Sequence, residues 1–369
     1  MSQESKNTSN LLFDCINNSG STEAINFILS LIDDQYAFQD LTTARKLKLI
    51  QFLITHYEIL LALKIYEQIN LADTGDDLQL QWTQLGQTLS LYSPGSLKKF
   101  ETIAYQFHNR SKNLIYPQIV EKIQLAITHK KGFSFVRLGD GEGNILGLQL
   151  SDFSDMSRRH ANEISQLQFG KDVLAQADQE MLSGYLMDSV RSVDVLGIMS
   201  PLSLLRRIDT RELPFARQLA GNIMNYLVLY EKFNAQFNDF EYIDSAINYD
   251  PYWENEVLQI AFNSGCIGVV GPHPEAVDYF KDRQIDDILY FNIPGERKYF
   301  PGEMSHFHDV FPTIVSALSG HDFSGRVFLV GGGLLGKYYC HLIKACGGVA
   351  LDIGSTMDRI CGHLFTRAS

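Results

Sequence analysis

The chain has 369 residues, 45% of them hydrophobic and 20% charged, so it is long enough to bury a substantial core and to form two domains. Its formal net charge of -12 disfavours a nucleic-acid surface, and the sequence has neither a Lys/Arg cluster for anionic lipid nor an apolar run that could span a membrane. Five cysteines without a Cys-x-x-Cys pair predict reduced thiols, and together with the polar N-terminus they indicate a soluble cytoplasmic protein.

The first predicted elements are helices, and residues 1–111 are expected to form an N-terminal helical domain. Apolar residues recur at helical spacing over Thr22–Leu31, Thr42–Tyr66 and Asp77–Leu91, where glycine and proline are sparse. One more helix is predicted over Ile115–Thr128. We expect the N-terminal helices to serve as a subunit contact in a homo-oligomer.

From residue 132 the pattern changes to short apolar runs, each followed by a helix-like stretch. This alternation predicts an α/β domain over residues 112–369, with a Rossmann-like, mostly parallel sheet and helices on both faces. Parallel strands place the loops that follow them at one edge of the sheet, where open sheets bind ligands. The predicted strands are Phe133–Leu138, Asp194–Met199, Cys266–Val270, Ile288–Ile293, Arg326–Val330 and Gly348–Ile353.

The first of these strands ends in Arg137-Leu-Gly-Asp-Gly-Glu142, which places two carboxylates at the strand tip. Gly139 and Gly141 allow the backbone to approach a ligand closely. Asp140 and Glu142 offer the oxygen ligands that Mg²⁺ or Mn²⁺ needs when it bridges substrate phosphates. The alternative is a tight turn whose acids cap the following helix.

Together with the distant Ala350-Leu-Asp-Ile-Gly-Ser355, this motif resembles the two ends of the GT-D-type glycosyltransferases, a bacterial class that uses sugar nucleotides. The resemblance implies a metal-dependent transfer of a sugar from a nucleotide-diphosphate donor, a UDP-sugar, to a hydroxyl group of a glycan or glycoconjugate. It assigns the metal and the donor to Asp140 and Glu142. The family usually has a histidine after Asp-Ile-Gly, whereas this chain has Ser355.

A second motif, Gly331-Gly-Gly-Leu-Leu-Gly336, has the Gly-x-Gly-x-x-Gly spacing between a strand and a helix, and Asp352 follows about twenty residues later. An NAD(P)-dependent oxidoreductase and a non-catalytic nucleotide-binding protein therefore stay open as alternatives. In the glycosyltransferase interpretation, Gly332 and Gly333 present backbone N–H groups to the donor diphosphate. Asp352 then contacts the ribose or base, or is a buried structural acid. Close strand–helix packing without a ligand is the other explanation of the glycines.

Further residues on this edge of the sheet are expected to contact the donor. His273 stands between two prolines in Gly271-Pro-His-Pro-Glu275, which fixes it at the end of a strand. Arg137 is expected to pair with a phosphate or to brace the carboxylates. The predicted donor-binding residues are Arg137, Gly139, Gly141, Gly271, His273, Gly332, Gly333 and Asp352.

Acid–base chemistry is expected from Pro301-Gly-Glu-Met-Ser-His-Phe-His-Asp309. Sugar transfer needs a group that takes the acceptor proton or positive groups that stabilise the departing diphosphate. Glu303 is the candidate for the first role, and His306 is a candidate for the second, beside Arg297 and Lys298. A solvated loop is the alternative. Trp253 is a candidate for stacking on the acceptor, although aromatic residues are more often part of the core.

Overall fold

The computed structural model describes residues 21–33, 41–56, 58–69, 75–169, 174–212, 217–296 and 304–363. The chain divides into two compact units, one of residues 1–99 with 207–220 and the other of residues 100–206 with 221–369. The division falls within a helix, Pro94–Arg110, whereas the boundary expected from the sequence follows residue 111. Phe107 and Phe237 both belong to the second unit, where their rings pack edge-on with centroids 5.2 Å apart.

The first unit contains the N-terminal helices, as predicted. Its described elements include α1 (Ser21–Asp33), α2 (Thr43–Thr55), α3 (Ile59–Tyr66) and α4 (Asp76–Tyr92). The run Thr42–Tyr66, which the sequence predicts to be helical, forms two helices, since α2 ends at Thr55 and α3 begins at Ile59. The α3 and α4 helices contact through Tyr66 and Trp82, whose rings stack with centroids 4.6 Å apart.

The remaining elements alternate between helices and strands. In chain order they are α5 (Pro94–Arg110), β1 (Lys112–Asn113), α6 (Tyr116–Thr128), β2 (Phe133–Leu138), α7 (Asp140–Leu146), α8 (Ser154–Phe169), α9 (Gln176–Ser192), β3 (Val195–Ile198), α10 (Pro201–Asp209), α11 (Arg217–Phe233), β4 (Glu241–Asp244), α12 (Pro251–Ser264), β5 (Cys266–Gly271), α13 (Glu275–Lys281), β6 (Asp287–Asn292), a π-helical turn (His306–Val310), α14 (Phe311–Leu318), β7 (Val327–Val330), α15 (Gly333–Ala345), β8 (Val349–Asp352) and α16 (Thr356–Ile360).

The strands of the described residues form one eight-stranded parallel sheet in the order β1-β4-β3-β2-β8-β7-β5-β6. The chain moves one way along the sheet from β2 to β4 and the other way from β5 to β6, so right-handed connections place helices on both faces. The predicted α/β, Rossmann-like fold is confirmed. All six predicted strands are found within one residue at each end, and β1 and β4 are additional.

The central strands carry the core of the second unit. Strands β3, β7 and β8 are buried at every residue, as expected for a parallel sheet covered on both faces. Trp253 of α12 belongs to this core, because it is 1% exposed and its ring packs edge-on against Phe135 at 5.5 Å. The expectation that Trp253 stacks on an acceptor is therefore wrong. None of the described helices combines the length and apolar character needed to cross a lipid bilayer.

The sheet has a topological switch point between β5 and β7. These strands are neighbours, but the chain leaves β5 towards the outer strand β6 and leaves β7 towards β8. Their connections therefore run on opposite faces, which opens a crevice between the loops Gly271–Glu275 and Gly331–Gly336. The carboxyl ends of β2 and β8 lie at the same edge, since all strands are parallel.

Candidate functional site

The carboxylate motif lies where β2 ends and α7 begins. Gly139 separates Leu138, the last residue of β2, from Asp140, the first residue of α7. The Glu142 side chain turns back to the start of the helix, where Oε2 accepts a hydrogen bond of 2.9 Å from the Gly139 N–H. This bond satisfies one of the backbone donors that a helix leaves unpaired at its N-terminus. Glu142 is therefore a helix-capping residue, as the turn interpretation expects.

Glu142 also belongs to a group that we call the charged cluster: Arg137, Glu142, Lys337 and Asp352. The Lys337 ammonium lies 3.0 Å from Oε1 of Glu142 and 3.0 Å from Oδ2 of Asp352. The Arg137 guanidinium lies 3.5 Å from Oδ1 of Asp352, and the Arg137 backbone N–H donates to Oδ2 at 3.1 Å. Lys337 thus joins the start of α7, the helix that follows β2, to the end of β8 through two carboxylates.

The charged cluster is buried, and its formal charges cancel. Side-chain exposure is 1% for Asp352, 5% for Lys337, 12% for Glu142 and 15% for Arg137. Burial would raise the pKa of both carboxyl groups, but the Lys337 ammonium, helped by Arg137 at Asp352, lowers the pKa of each below its ordinary value. Burial likewise opposes the charged form of Lys337, yet the two carboxylates raise its pKa. The cluster therefore holds two cations and two anions at neutral pH.

Asp352 occupies the position that a dinucleotide-binding protein gives to its ribose-binding acid. Here both of its oxygens face cations at 3.5 Å or less, and the side chain is 1% exposed. This geometry is that of a buried structural acid. The structure favours that interpretation over a ribose contact.

Buried amides hold the backbone that carries Asp140. Asn144 donates from Nδ2 to the Asp140 carbonyl at 2.8 Å, and Nδ1 of His160 lies 2.8 Å from Oδ1 of Asn144. Asn225 of α11 donates from Nδ2 to the Gly139 carbonyl at 3.0 Å. The start of α7 is therefore positioned from α8 and α11, two helices that contribute nothing to the motif itself.

Close helix packing fixes α7 as well. A Cβ on Gly143 would overlap the carbonyl oxygen of Gly221 in α11, and a Cβ on Gly221 would overlap the carbonyl oxygen of Asp140. Two glycines from distant parts of the chain thus allow the backbones to meet. Gly221 was not among the predicted residues, because a glycine inside a helix does not indicate its packing partner.

The glycine turn Gly331–Gly336 follows β7 and opens α15, the helix that carries Lys337. A Cβ on Gly332 would lie 2.8 Å from the backbone of the next helical turn, and Gly333 has a φ of +56°, which favours glycine. The side-chain oxygen of Gln168 accepts a long hydrogen bond of 3.5 Å from the Leu334 N–H. Packing accounts for these glycines, and Gln168 lies at the helix end where a diphosphate is expected.

His273 and Gly271 lie apart from the charged cluster, at the end of β5. The His273 side chain is 3% exposed, and its Nε2 lies 2.8 Å from Oδ1 of Asp358. The Gly271 carbonyl accepts a hydrogen bond of 3.0 Å from the Tyr290 hydroxyl. The structure therefore groups the predicted residues Arg137, Glu142 and Asp352 together and gives His273 different partners.

His306 is buried, with Nε2 2.9 Å from the Tyr339 hydroxyl. Burial lowers the pKa of His306 to about 3, so the imidazole is neutral at neutral pH. A neutral imidazole cannot supply the positive charge that was expected of it for a departing diphosphate. Glu303, Arg297 and Lys298 lie outside the described residues.

Lys337 is the residue of the charged cluster that sequence analysis missed. Its signal is a lysine directly after the last glycine of the Gly331–Gly336 turn, surrounded by Leu334, Leu335 and Tyr339 on what the structure shows to be a buried part of α15. A lysine within an apolar helical stretch needs a buried acid as its partner. The sequence alone does not indicate which acids those are.

Comparison with known proteins gives one family. The family model of the GT-D-like, GT-D fold-like domain matches residues 115–360. This range includes β2 to β8 of the described sheet, and β1 lies just before it. No match was found among the curated proteins or among the solved structures. The matched region contains the whole charged cluster.

Proposed function

This chain belongs to the GT-D-like family, whose domain covers residues 115–360, and from that membership we propose that it is a glycosyltransferase. It moves a sugar from a nucleotide-diphosphate donor, a UDP-sugar, to a hydroxyl group of a glycan or glycoconjugate. The observation that carries the proposal is the charged cluster, which sets two cations at the carboxyl ends of β2 and β8. Open parallel sheets bind their ligands at that edge.

In this proposal Arg137 binds the donor diphosphate. It is the member of the charged cluster with the largest exposed fraction, 15%, whereas Lys337 is 5% exposed. A guanidinium offers planar, paired donors that suit phosphate oxygens. The Arg137 guanidinium is oriented by Asp352, whose carbonyl accepts a hydrogen bond from Nε and whose carboxylate lies 3.5 Å from Nη2. Lys337 stays with Glu142 and Asp352 and offsets their charge, so that the acids do not repel the donor.

The proposal includes Mg²⁺ or Mn²⁺ at Asp140 and Glu142. Their oxygens suit such ions, which proteins usually hold with one or two carboxylates and substrate phosphates. Glu142 fits in part, because Oε1 already faces Lys337 at 3.0 Å and Oε2 accepts from Gly139. Asp140, the first residue of α7, is proposed as the other ligand. When bound, the ion offsets the charge that grows on the leaving diphosphate.

Three parts of the proposal depend on the sequence alone. Glu303 is the proposed base for the acceptor hydroxyl. A cytoplasmic location is proposed, and the cysteine pattern supports it. The N-terminal helices provide the contact of a homo-oligomer.

Calorimetric titration of UDP, with and without Mn²⁺, tests the proposal. Asp140→Asn should lower the Mn²⁺-dependent affinity for UDP at least tenfold, and Arg137→Met should lower UDP affinity whether or not Mn²⁺ is present. Asp152→Asn, at an exposed acid, is the matched control and should change neither. Saturable binding of NAD with hydride transfer, or full Mn²⁺-linked affinity in Asp140→Asn, would contradict the glycosyltransferase proposal.

A further inference from the structure

A second group of ionisable side chains lies at the switch point of the sheet. His273 is in the loop after β5, between Pro272 and Pro274, and Glu275 begins α13. His363 follows α16, the last described helix. Each of the three residues offers one ligand atom, and these atoms all lie within 4.8 Å of one another.

We propose that His273, Glu275 and His363 form a transition-metal site that favours Zn²⁺, and that Asp358 orients His273 within it. We call these four residues the histidine cluster. Asp358 Oδ1 lies 2.8 Å from Nε2 of His273. A carboxylate behind a histidine ligand is the usual arrangement in metal sites, because it fixes the ring orientation and increases the basicity of the coordinating nitrogen.

The end of α16 explains how His363 reaches this position. Gly362 has a φ of +78°, its N–H donates to the Arg359 carbonyl at 3.0 Å, and the His363 N–H donates to the Asp358 carbonyl at 2.8 Å. This is the Schellman pattern of helix termination, which needs a left-handed residue after the helix. The turn places His363 beside the ring of His273, with ring centroids 4.3 Å apart.

The donor set determines the class of ion. Two imidazoles and one carboxylate are the ligands of His₂Glu zinc sites, which keep a fourth position open. Imidazole nitrogens suit Zn²⁺ and its first-row neighbours, whereas Mg²⁺ prefers oxygen ligands only. This site is therefore distinct in chemistry from the two acids at the start of α7.

The geometry requires a small adjustment and provides a route for the ion. Tetrahedral ligands at 2.0–2.1 Å from zinc are about 3.4 Å apart, so the present spread of up to 4.8 Å must contract. Glu275 is exposed and can rotate at little cost, while His273 is held by its flanking prolines. Because Glu275 and His363 are accessible, an ion can enter from solvent.

Titration of Zn²⁺ into the full chain without nucleotide tests the site independently of the proposed transferase activity. One equivalent should bind, and Glu275→Gln and His363→Gln should each lower the affinity at least tenfold. Asp358→Asn should lower it about 10–100-fold, as expected for a residue that positions a ligand. The control His321→Gln, at an exposed histidine of the same unit, should leave the affinity unchanged.

Thermal unfolding distinguishes loss of the site from loss of the fold. Glu275 is exposed, so Glu275→Gln should keep the Tm of the metal-free protein while abolishing most of the increase in Tm that Zn²⁺ gives the wild type. Mg²⁺ should produce no such increase. The proposal is overturned if the wild type binds no zinc, if neither ligand variant weakens binding, or if Asp140→Asn removes zinc binding while Glu275→Gln does not.

Discussion

The charged cluster and the histidine cluster lie at the same edge of one sheet, but the carboxylates of the two clusters have different partners. In the charged cluster, the acids Glu142 and Asp352 are neutralised by Lys337 and Arg137 from the same chain. In the histidine cluster, carboxylates lie beside imidazoles, whose nitrogens can bind either a proton or a metal.

The difference has a consequence for ligand binding. An acid that already faces a lysine gains little from a metal ion and loses much when the lysine is removed. An imidazole–carboxylate set gains most when a metal binds. We therefore expect substitutions in the charged cluster to change mainly the stability of the fold. Substitutions in the histidine cluster should change mainly the affinity for metal.

The largest effect is expected from Lys337→Met. It leaves Glu142 and Asp352 buried beside each other with one cation fewer, so unfolding free energy should fall by about 3–5 kcal/mol. Urea denaturation measures the loss. Lys344→Met is the matched control on the same helix, because Lys344 forms a more exposed pair with Asp194 and its removal should cost about 0–1 kcal/mol. Equal losses of unfolding free energy in the two variants would show that the buried ion pairs of Lys337 contribute no more to stability than a partly exposed ion pair.

A smaller effect should separate the two acids of the carboxylate motif. Glu142→Gln removes the charge that faces Lys337, and it should lower the unfolding free energy by about 1.5–3 kcal/mol. Asp140→Asn should cost less, about 0.3–1 kcal/mol, because it removes a negative charge from the first turn of α7 while keeping the shape of the side chain. Chemical denaturation of both variants checks the contrast. If Glu142→Gln costs no more than Asp140→Asn, the pairing of Glu142 with Lys337 adds nothing to stability beyond a first-turn charge.

The effect that is smallest per step of the experiment, about 1.4 kcal/mol for each pH unit, concerns the response to acid. Burial lowers the pKa of His306 to about 3 from 6.5, so below pH 6.5 the unfolded chain binds a proton that the folded chain excludes. Stability should therefore fall by about 1.4 kcal/mol per pH unit as the pH drops from 6.5. The pKa values of Glu142 and Asp352 are lowered in the folded state. The stability that these two carboxylates contribute is therefore lost only as the pH falls below their ordinary pKa values of 4.5 and 3.8.

The variant His306→Gln isolates this contribution. It should flatten the pH dependence of unfolding between pH 6.5 and 4.5, where the charged cluster is still fully ionised. His321→Gln, at an exposed position, should keep the wild-type slope. If His306→Gln also keeps that slope, His306 does not exclude a proton in the folded state.

Much of the fold follows from patterns that the sequence shows locally. Six strands were predicted within one residue because each is a short apolar run that ends in glycine, proline or a charged residue. The strands β1 and β4 were missed for a physical reason. β1 has two residues, and β4 is Glu-Tyr-Ile-Asp, whose polar ends hide its buried centre.

The candidate site was predictable only in part. Arg137, Glu142 and Asp352 were identified because glycine turns mark the loops at the ends of their strands. The pairing of Glu142 with Lys337 was not, since these residues are far apart in sequence and meet only when α15 packs against the ends of β2 and β8. His306 could not be identified as neutral, because its pKa depends on burial beneath other elements.

The sequence by itself determined six of the strands, the parallel character of the sheet and the acids at the end of β2. Short apolar runs and the glycines that end them act over a few residues, so local sequence shows them. Tertiary structure decided which charges face each other. It brought Lys337 to Glu142 and Asp352, and His363 to His273, across long separations in sequence. Electrostatic free energy depends on distance and burial in space, and neither can be obtained from local sequence.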